Sequence, residues 1–321
     1  MRLCLMIEGQ EGVSWDEWLA IATKAEALDF EALFRSDHYQ TLAKGCRRGV
    51  LDAWTTLAAL GARTERIRLG TLVSPVTFRS PAILAKSVVT VDHVSHGRVE
   101  VGIGAGWYEP EHRAFGLEFP SETRRLEMLE EQVEIVHRLL DRNEESVTFL
   151  GSHYRLEACQ AVPKPVQDPH PPLLLGGEAG PRATRLAARW ADEYNVLFAT
   201  PGKCKEARAR LDAACVQGGR DPSTLPMSLM TGAVVGADAG DIARQMRRIM
   251  DLQGESGDPA AYGEHLGARG WVIGTPDQVI EDLAVLGAAG VRRVMLAHLL
   301  HDDLENLELI GRDVLPLAAS L

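Results

Sequence analysis

The chain contains no hydrophobic run long enough to cross a bilayer, and residues 1–10 do not follow the pattern of a signal peptide. We therefore expect a cytoplasmic protein with no membrane partner. The chain has 321 residues, of which 45% are hydrophobic, and this is enough to form a large buried core.

Cysteine is scarce and unpatterned. The five cysteines are odd in number, and none forms a CxxC pair. We therefore do not expect a disulfide framework or a zinc site, and we expect the cysteines to be reduced thiols. The histidines also lack partners at metal-ligand spacing, so we predict no bound metal.

Positive charge is in deficit. The chain has 34 lysines and arginines against 45 aspartates and glutamates, which gives a net charge of −11. This balance argues against nucleic acid or an anionic membrane surface as a partner. A local basic pocket for an anionic ligand remains compatible with it.

What the sequence does contain is a regular alternation of strands and helices, in which eight apolar segments are each followed by a helical pattern. The predicted strands are residues 2–8, 32–37, 67–73, 97–104, 172–177, 193–198, 227–235 and 293–298. This order predicts a (β/α)₈ TIM barrel, formed by residues 1–321 as a single domain. Residues 253–270 are polar and glycine-rich, and we predict that they form a mobile insertion over the site after strand seven.

The fourth predicted strand and the loop after it, residues 97–116, form the stretch around which the rest is organised. Its sequence is GRVEVGIGAGWYEPEHRAFG. One face of the strand is apolar, and the other carries Glu100, Gly102 and Gly104. We expect the glycines to leave room for a ligand against the backbone, and we expect Glu100 to pair with Arg68 of the preceding strand inside the barrel.

In a parallel barrel, ligands bind at the carboxyl ends of the strands. Asp37 and His38 lie at one such end, and a histidine there can transfer a proton near neutral pH or bind an anionic oxygen. The alternative is that Asp37 caps the loop and His38 is a surface residue. Glu8 and His298 end two other predicted strands.

A second candidate site is the turn Gly176-Gly177-Glu178-Ala179-Gly180, which precedes a predicted helix. Free amides at a helix start suit a phosphate group, and Lys203 in the first turn of the next helix would add a positive charge. The alternative is a tight turn with an exposed lysine nearby.

Two aromatic residues, Trp107 and Tyr108, follow the fourth strand. They are suited either to stacking on a planar ring or to packing on Phe115 as part of a lid. We expect the nearby His112 to be structural.

Four segments are shared with a known family. They are SDHY at residues 36–39, RIRLGTLVSPVTFRSPAILAKSVVTVDHVSHGRVEVGIGAGW at 66–107, PPLLLGGEAGPRATRLAARWADEYNV at 171–196 and WVIGTPDQV at 271–279. In these segments and their order the chain resembles the bacterial luciferase-like monooxygenase family. The resemblance is greatest to the branch of oxidoreductases that use the 8-hydroxy-5-deazaflavin coenzyme F420.

The resemblance implies a TIM barrel with F420, or alternatively FMN, at the carboxyl ends of the strands. The ring would lie against Leu72, Val73, Gly104, Ala105 and Trp107, above a non-proline cis peptide at Leu72–Val73 in a backbone bulge. The phosphate would lie near Gly176 and Gly177, with Glu178 and Lys203 beside it. By the same resemblance, Asp37 and His38 match the Asp-His pair of the F420-dependent dehydrogenases, and a homodimer is the expected oligomer.

One departure from the family pattern bears on the substrate. Sugar-phosphate dehydrogenases of this branch carry a glutamate where this chain has Trp107, and the nearest acids here are Glu109 and Glu111. This difference weakens the case for sugar-phosphate oxidation and favours a reductase.

The sequence thus predicts hydride transfer between F420 and a small organic substrate, with His38 and Asp37 as the catalytic residues. The first alternative is an FMN-dependent monooxygenase. The others are a flavin-binding protein without activity and a barrel enzyme of unrelated chemistry.

Overall fold

The computed structural model describes residues 1–43 and 47–321. Lys44, which the sequence places in a polar loop, and Cys46 lie outside the described residues. The four cysteines within them, Cys4, Cys159, Cys204 and Cys215, are free thiols. Over the same part of the chain, no helix combines the length and the hydropathy that crossing a bilayer requires.

Eleven strands lie in the described ranges. They are β1 (Arg2–Ile7), β2 (Ala32–Arg35), β3 (Arg68–Pro75), β4 (Val99–Gly104), β5 (Val147–Leu150), β6 (Arg155–Cys159), β7 (Leu173–Gly176), β8 (Glu193–Leu197), β9 (Met227–Val235), β10 (Val272–Gly274) and β11 (Val291–Ala297).

The helices surround these strands and follow them in the chain. They are α1 (Trp15–Ala27), α2 (Ala53–Gly61), α3 (Pro81–Val94), α4 (Glu109–Phe115), α5 (Glu122–Leu140), α6 (Pro181–Trp190), α7 (Pro201–Gln217), α8 (Ala239–Gln253), α9 (Pro259–Ala268), α10 (Pro276–Ala288), α11 (Leu304–Asp313) and α12 (Leu315–Ala318), with a 3₁₀ turn at Pro222–Thr224.

Eight strands close into a parallel barrel in the order β1-β2-β3-β4-β7-β8-β9-β11, and β11 pairs with β1. This confirms the predicted TIM barrel. The other three strands lie outside the ring: β5 and β6 form an antiparallel hairpin, and β10 pairs with the upper part of β9. The predicted insertion at residues 253–270 lies between β9 and β11, after the seventh strand of the barrel.

The core has two layers, because alternate strand residues face opposite sides. The outward residues pack against the helices, as Leu3, Leu5 and Ile7 do on α1. The inward residues fill the barrel; they include Met6, Phe34, Leu174, Met230 and Met295.

The amino end of the barrel interior, here called the base, holds buried charge. Glu100 accepts hydrogen bonds from Arg68 Nε at 2.5 Å and from Arg293 Nη1 at 2.8 Å. The predicted Arg68–Glu100 pair is therefore confirmed, and Arg293 on the last barrel strand is a further partner. Glu193 lies 3.4 Å from the same arginine.

Three local predictions differ from the structure. Residues 109–115, expected as loop, form α4, which has Pro110 in its first turn and ends at Gly116 with a φ of +68°. The insertion at 253–270 contains α9, whose first amides are bound by the Asp258 side chain. The single closing helix expected at residues 304–317 is divided into α11 and α12, because Pro316 cannot supply the amide that a continuous helix needs.

Candidate active site

The carboxyl ends of the barrel strands form an opening, here called the mouth. Glu8 follows β1 and His38 follows β2, and both lie among these strand ends. The peptide bond Leu72–Val73 in β3 is cis, as predicted, and the register between β3 and β4 shifts between Thr71 and Ser74. This shift is the bulge that the family resemblance implies.

His38 is paired with Glu111. The Nδ1 atom of His38 donates to Glu111 Oε1 at 2.7 Å, and Glu111 Oε2 accepts from the backbone amide of Tyr39 at 3.0 Å. Glu111 lies on α4 and is buried, with 1% of its surface exposed. The carboxylate therefore fixes both the ring of His38 and the backbone beside it, and Nε2 is the ring nitrogen left for a ligand.

This arrangement favours the protonated imidazole. Burial alone would lower the pKa of His38, but the hydrogen bond and charge of Glu111, with Glu8 and Asp37 nearby, raise it above its usual value. Burial also raises the pKa of Glu8, whose carboxylate accepts from Gln10 Nε2 at 2.6 Å. The mouth thus holds two proton-binding groups whose pKa values are both shifted upward.

Asp37 does not bind its neighbour His38. It is buried, and its Oδ2 accepts from Arg79 Nη1 at 2.5 Å and from Ser74 Oγ at 2.6 Å. Arg79 also donates to the hydroxyl of Tyr39 at 2.9 Å. Asp37 therefore ties the end of β2 to the end of β3 and to the segment before α3.

The glycine face of β4 does not leave the space that the sequence predicted. A Cβ at Gly104 would lie 2.5 Å from Val73 Cγ2, and one at Gly102 would collide with the carbonyl of Thr71. The bulge in β3 moves its backbone and Val73 towards β4, and the glycines admit this neighbouring strand. A planar ligand at this position would therefore lie on Val73, above the glycines.

Trp107 and Tyr108 lie beside His38. Their ring centroids are 6.0 and 6.2 Å from the imidazole in edge-on geometry, and 5.3 Å from each other. Phe115 instead contacts Tyr39, with ring centroids 5.3 Å apart. Trp107 is 64% exposed and presents an open aromatic surface at the rim, whereas Ala105 is partly buried. His112 is fully buried and bonded to Thr77 Oγ1 at 2.6 Å, which fits a structural role.

The turn after β7 brings open amides to the rim. Gly177 has a φ of +148°, which only glycine adopts readily. Its amide donates to Asn195 O, and the amide of Ala179 donates to Tyr194 Oη, each at 3.0 Å. Gly180 caps α6 without any side-chain hydrogen bond, and a Cβ there would have no atom within 4 Å. The free donors of this turn are therefore the first-turn amides of α6.

The start of α7 has the same character. Thr200 makes no side-chain capping bond, and Gly202 faces open space. Lys203 lies in the first turn of this helix and is exposed, as is Glu178 in the turn before α6. Helices α6 and α7 follow the adjacent strands β7 and β8, and both begin without a side-chain cap. Together their first turns create a positive potential that suits an acidic group.

The sequence did not identify Glu111 as the partner of His38. The two residues are 73 positions apart and meet only because α4 packs over the end of β2. A signal was present, because acids are common in the first turn of a helix, and Glu109-Pro110-Glu111 is typical of a helix start.

A parallel barrel with a histidine–carboxylate pair at its mouth defines a barrel enzyme with acid–base capacity. Residues 4–293 match the luciferase-like monooxygenase family, and the chain belongs to that family. It is therefore an enzyme of the oxidoreductase class, and the resemblance found in its sequence is confirmed.

Relatives in the family use different cofactors. The chain is 30% identical over 323 residues to an F420-dependent glucose-6-phosphate dehydrogenase from Microbacterium testaceum, covering 94% of this chain and 93% of that protein. It is 27% identical over 301 residues to an FMNH₂-dependent dimethylsulfone monooxygenase from Pseudomonas putida, covering 84% and 79%. A solved F420-dependent secondary alcohol dehydrogenase bound to an F420-acetone adduct shares the fold, with a TM-score of 0.81 at 21% identity over 99% and 98% of the two chains.

Proposed function

We propose that this protein transfers a hydride between coenzyme F420 and a small organic substrate. The observation that carries the proposal is the His38–Glu111 pair at the mouth, in which Nδ1 of His38 donates to the Glu111 carboxylate at 2.7 Å, a contact that raises the pKa of the imidazole. Among the described residues Nε2 has no hydrogen-bond partner, so it is available to a substrate. The dehydrogenase from Microbacterium testaceum, similar over nearly the whole chain, supports F420 as the cofactor.

The residues present fit such a cofactor. Val73 offers an apolar surface, and Trp107 an aromatic one beside it; Leu72, Gly104 and Ala105 complete this side. The acidic tail would be held at the turn that begins with Gly176 and Gly177, by the free first-turn amides of α6, with the charge of Lys203 nearby and Glu178 at the edge. When bound, F420 supplies a ring carbon that gives or accepts a hydride as a nicotinamide does.

His38 holds the proton at Nε2 that the substrate oxygen takes up or releases as the hydride moves. Glu111 positions the imidazole and keeps it charged. Asp37 acts indirectly, as a positioning residue, because its hydrogen bonds to Arg79 and Ser74 hold the backbone that carries His38. By the family resemblance, Trp107 stands where the sugar-phosphate dehydrogenases of this branch carry a glutamate, so the proposal does not extend to sugar phosphates.

Equilibrium titration of the protein with F420 and, separately, with FMN tests the cofactor. We expect F420 to bind more tightly, and we expect anaerobic turnover with reduced F420 and a carbonyl compound. Tighter binding of FMN, together with no F420 oxidation by any member of a carbonyl panel, would contradict the proposal.

An FMN-dependent monooxygenase is the second candidate, because the Pseudomonas putida enzyme is similar over 84% of the chain. Oxygen uptake with reduced FMN, measured against the anaerobic F420 assay, distinguishes the two. We further propose that the enzyme acts in the cytoplasm as a homodimer and without nucleic-acid partners.

A further inference from the structure

A groove of about 600 Å³ lies where α8, α9 and β10 pack near the start of α7 and the second half of α10. It contains none of the residues assigned above to the ring, to the acidic tail or to proton transfer. Most of its lining is apolar and comes from the insertion and the elements around it, including Ile242, Met246, Trp271, Ile273, Val285 and Leu286.

Trp271 connects the groove to the mouth. Its ring covers Gly232 near the end of β9, so closely that any Cβ at Gly232 would collide with it. It is also stacked at 6.3 Å and 20° on Phe198, which follows β8 and is 40% exposed. Ala199, the next residue, lines the groove. The groove therefore adjoins the mouth on the side of β8, whose following residues Phe198 and Ala199 contact Trp271 and line the groove, respectively.

The charges of the groove are of one sign. Glu264 and Asp282 line it, and none of the described lining residues is a lysine, arginine or histidine. Lys203 follows the lining residue Pro201 by two positions but is not part of the lining. Burial, and next the charge of Glu281, raise the pKa of Asp282, which indicates that negative charge is disfavoured in these surroundings. A further anion in the groove would meet two carboxyl groups and no cation among the described lining residues.

We propose that this groove binds an uncharged, apolar part of the substrate and excludes substrates whose far end is anionic. This inference rests on the proposed function in one respect: it identifies the bound molecule as the substrate of that reaction. Each further methylene on the bound chain strengthens binding about fourfold, because apolar surface is removed from water.

The test is isothermal titration calorimetry of the cofactor-free protein with 1-hexanol, 1-octanol and octyl phosphate. We expect 1-octanol to bind roughly 16-fold more tightly than 1-hexanol, and we expect octyl phosphate to bind at least about tenfold more weakly than 1-octanol at low salt. Equal affinities for 1-octanol and octyl phosphate would overturn the exclusion of anions.

Two matched variants locate the binding. Ala260 lines the groove, and Ala261 beside it on α9 does not. Ala260→Trp should weaken 1-octanol binding at least about tenfold because it fills the groove, and Ala261→Trp should leave it unchanged. Gly263→Leu is a second filling variant, since a Cβ at Gly263 meets only Met246 Cε at 3.5 Å. The proposal is wrong if folded Ala260→Trp and Gly263→Leu bind 1-octanol as the parent does.

These outcomes are separable from the cofactor. If 1-octanol binds as expected and F420 does not bind, the groove assignment stands and the proposed function fails. If F420 turnover is found and the filling variants leave 1-octanol binding unchanged, the proposed function stands and the groove assignment fails.

Discussion

The two ends of the barrel interior both contain buried charge, but the groups that carry it differ. At the base, Glu100 is held between Arg68 and Arg293, and these guanidinium groups keep the pKa of Glu100 low although burial opposes its ionisation. Glu193, at the edge of this cluster, instead has its pKa raised, because burial outweighs the attraction of Arg293. Arginine does not lose its proton in proteins, so the Arg68–Glu100–Arg293 charges are fixed.

At the mouth, the buried carboxylate Glu111 faces a histidine and no arginine among the described contacts. His38 and Glu8 both have pKa values raised above their usual values, and each group can bind and release a proton. The comparison teaches that one barrel uses buried charge in two ways. Arginine–carboxylate pairs support the fold, at the base and also between Arg79 and Asp37, and a transferable proton is held at the mouth by His38. Substitutions at the two ends should therefore affect different measurements.

The largest effect is expected from His38→Asn. The amide can still donate to Glu111, but it cannot hold a transferable proton, so turnover should fall about 10²- to 10⁴-fold. The affinity for F420 should change little, and the melting temperature should stay close to that of the parent. Anaerobic steady-state kinetics and cofactor titration measure the first two.

His93→Ala is the matched control, since His93 on α3 bonds only the exposed carbonyl of Lys164 in the described contacts. It should leave turnover unchanged. Parental turnover in His38→Asn would remove His38 from the mechanism.

The next effect is expected at the base. Arg293→Leu leaves Glu193 without its nearest arginine and removes two hydrogen bonds from Glu100, and breaking a buried ion pair in this way destabilises a protein by about 3–5 kcal/mol. A fall in melting temperature of roughly 10 °C follows. Arg292→Leu, one position earlier and exposed, is the control and should melt within about 2 °C of the parent. Equal melting of the two variants would contradict the assignment of fixed charge to the base.

The barrel could be predicted because its signals are local. The strands alternate every second residue, the helices carry apolar stripes, and caps such as Ser14 with Glu17 are visible in the sequence and present in the structure. Helix α4 was missed because its seven residues are too few for periodicity to be apparent, and because aromatic residues and Pro110 at its start favour a loop assignment.

The site was less predictable because its contacts are tertiary. A strand end places His38 at the mouth, but the sequence cannot show which carboxylate meets it across 73 positions. Gly102 and Gly104 illustrate the same limit. A strand without side chains admits a ligand or a neighbouring backbone equally well, and only the packing of β3 decides between them.

A smaller effect is expected from Glu111→Gln, which keeps a hydrogen-bond acceptor for Nδ1 but removes the charge. The charge helps to raise the pKa of His38, so the variant should have a lower one. If protonated His38 is the active form, activity declines as pH rises through that pKa. The declining limb of the pH–rate profile should therefore move to lower pH.

Glu109→Gln, an exposed change on the same helix, should leave the profile where it is. A shift of similar size in both variants would show that the effect is not specific to the pair. A purely structural role of Glu111 would lower activity at every pH without moving the limb.

The smallest effect concerns a histidine at the mouth that remains neutral. Burial lowers the pKa of His298 to about 3, with the charge of His301 as the next cause. An unfolded chain takes up a proton on this residue below about pH 6.5, and the folded chain does not. The contribution of His298 to the free energy of unfolding should then fall by about 1.4 kcal/mol for each pH unit below 6.5.

His298→Gln removes this contribution, so the melting temperature of the variant should decline less than that of the parent between pH 6.5 and pH 5.5, by roughly 2 °C. His265→Gln, at an exposed position on α9, should decline as the parent does. An unchanged slope in His298→Gln would mean that His298 takes up its proton in the folded enzyme, and the mouth would then hold a third proton-binding group beside His38 and Glu8.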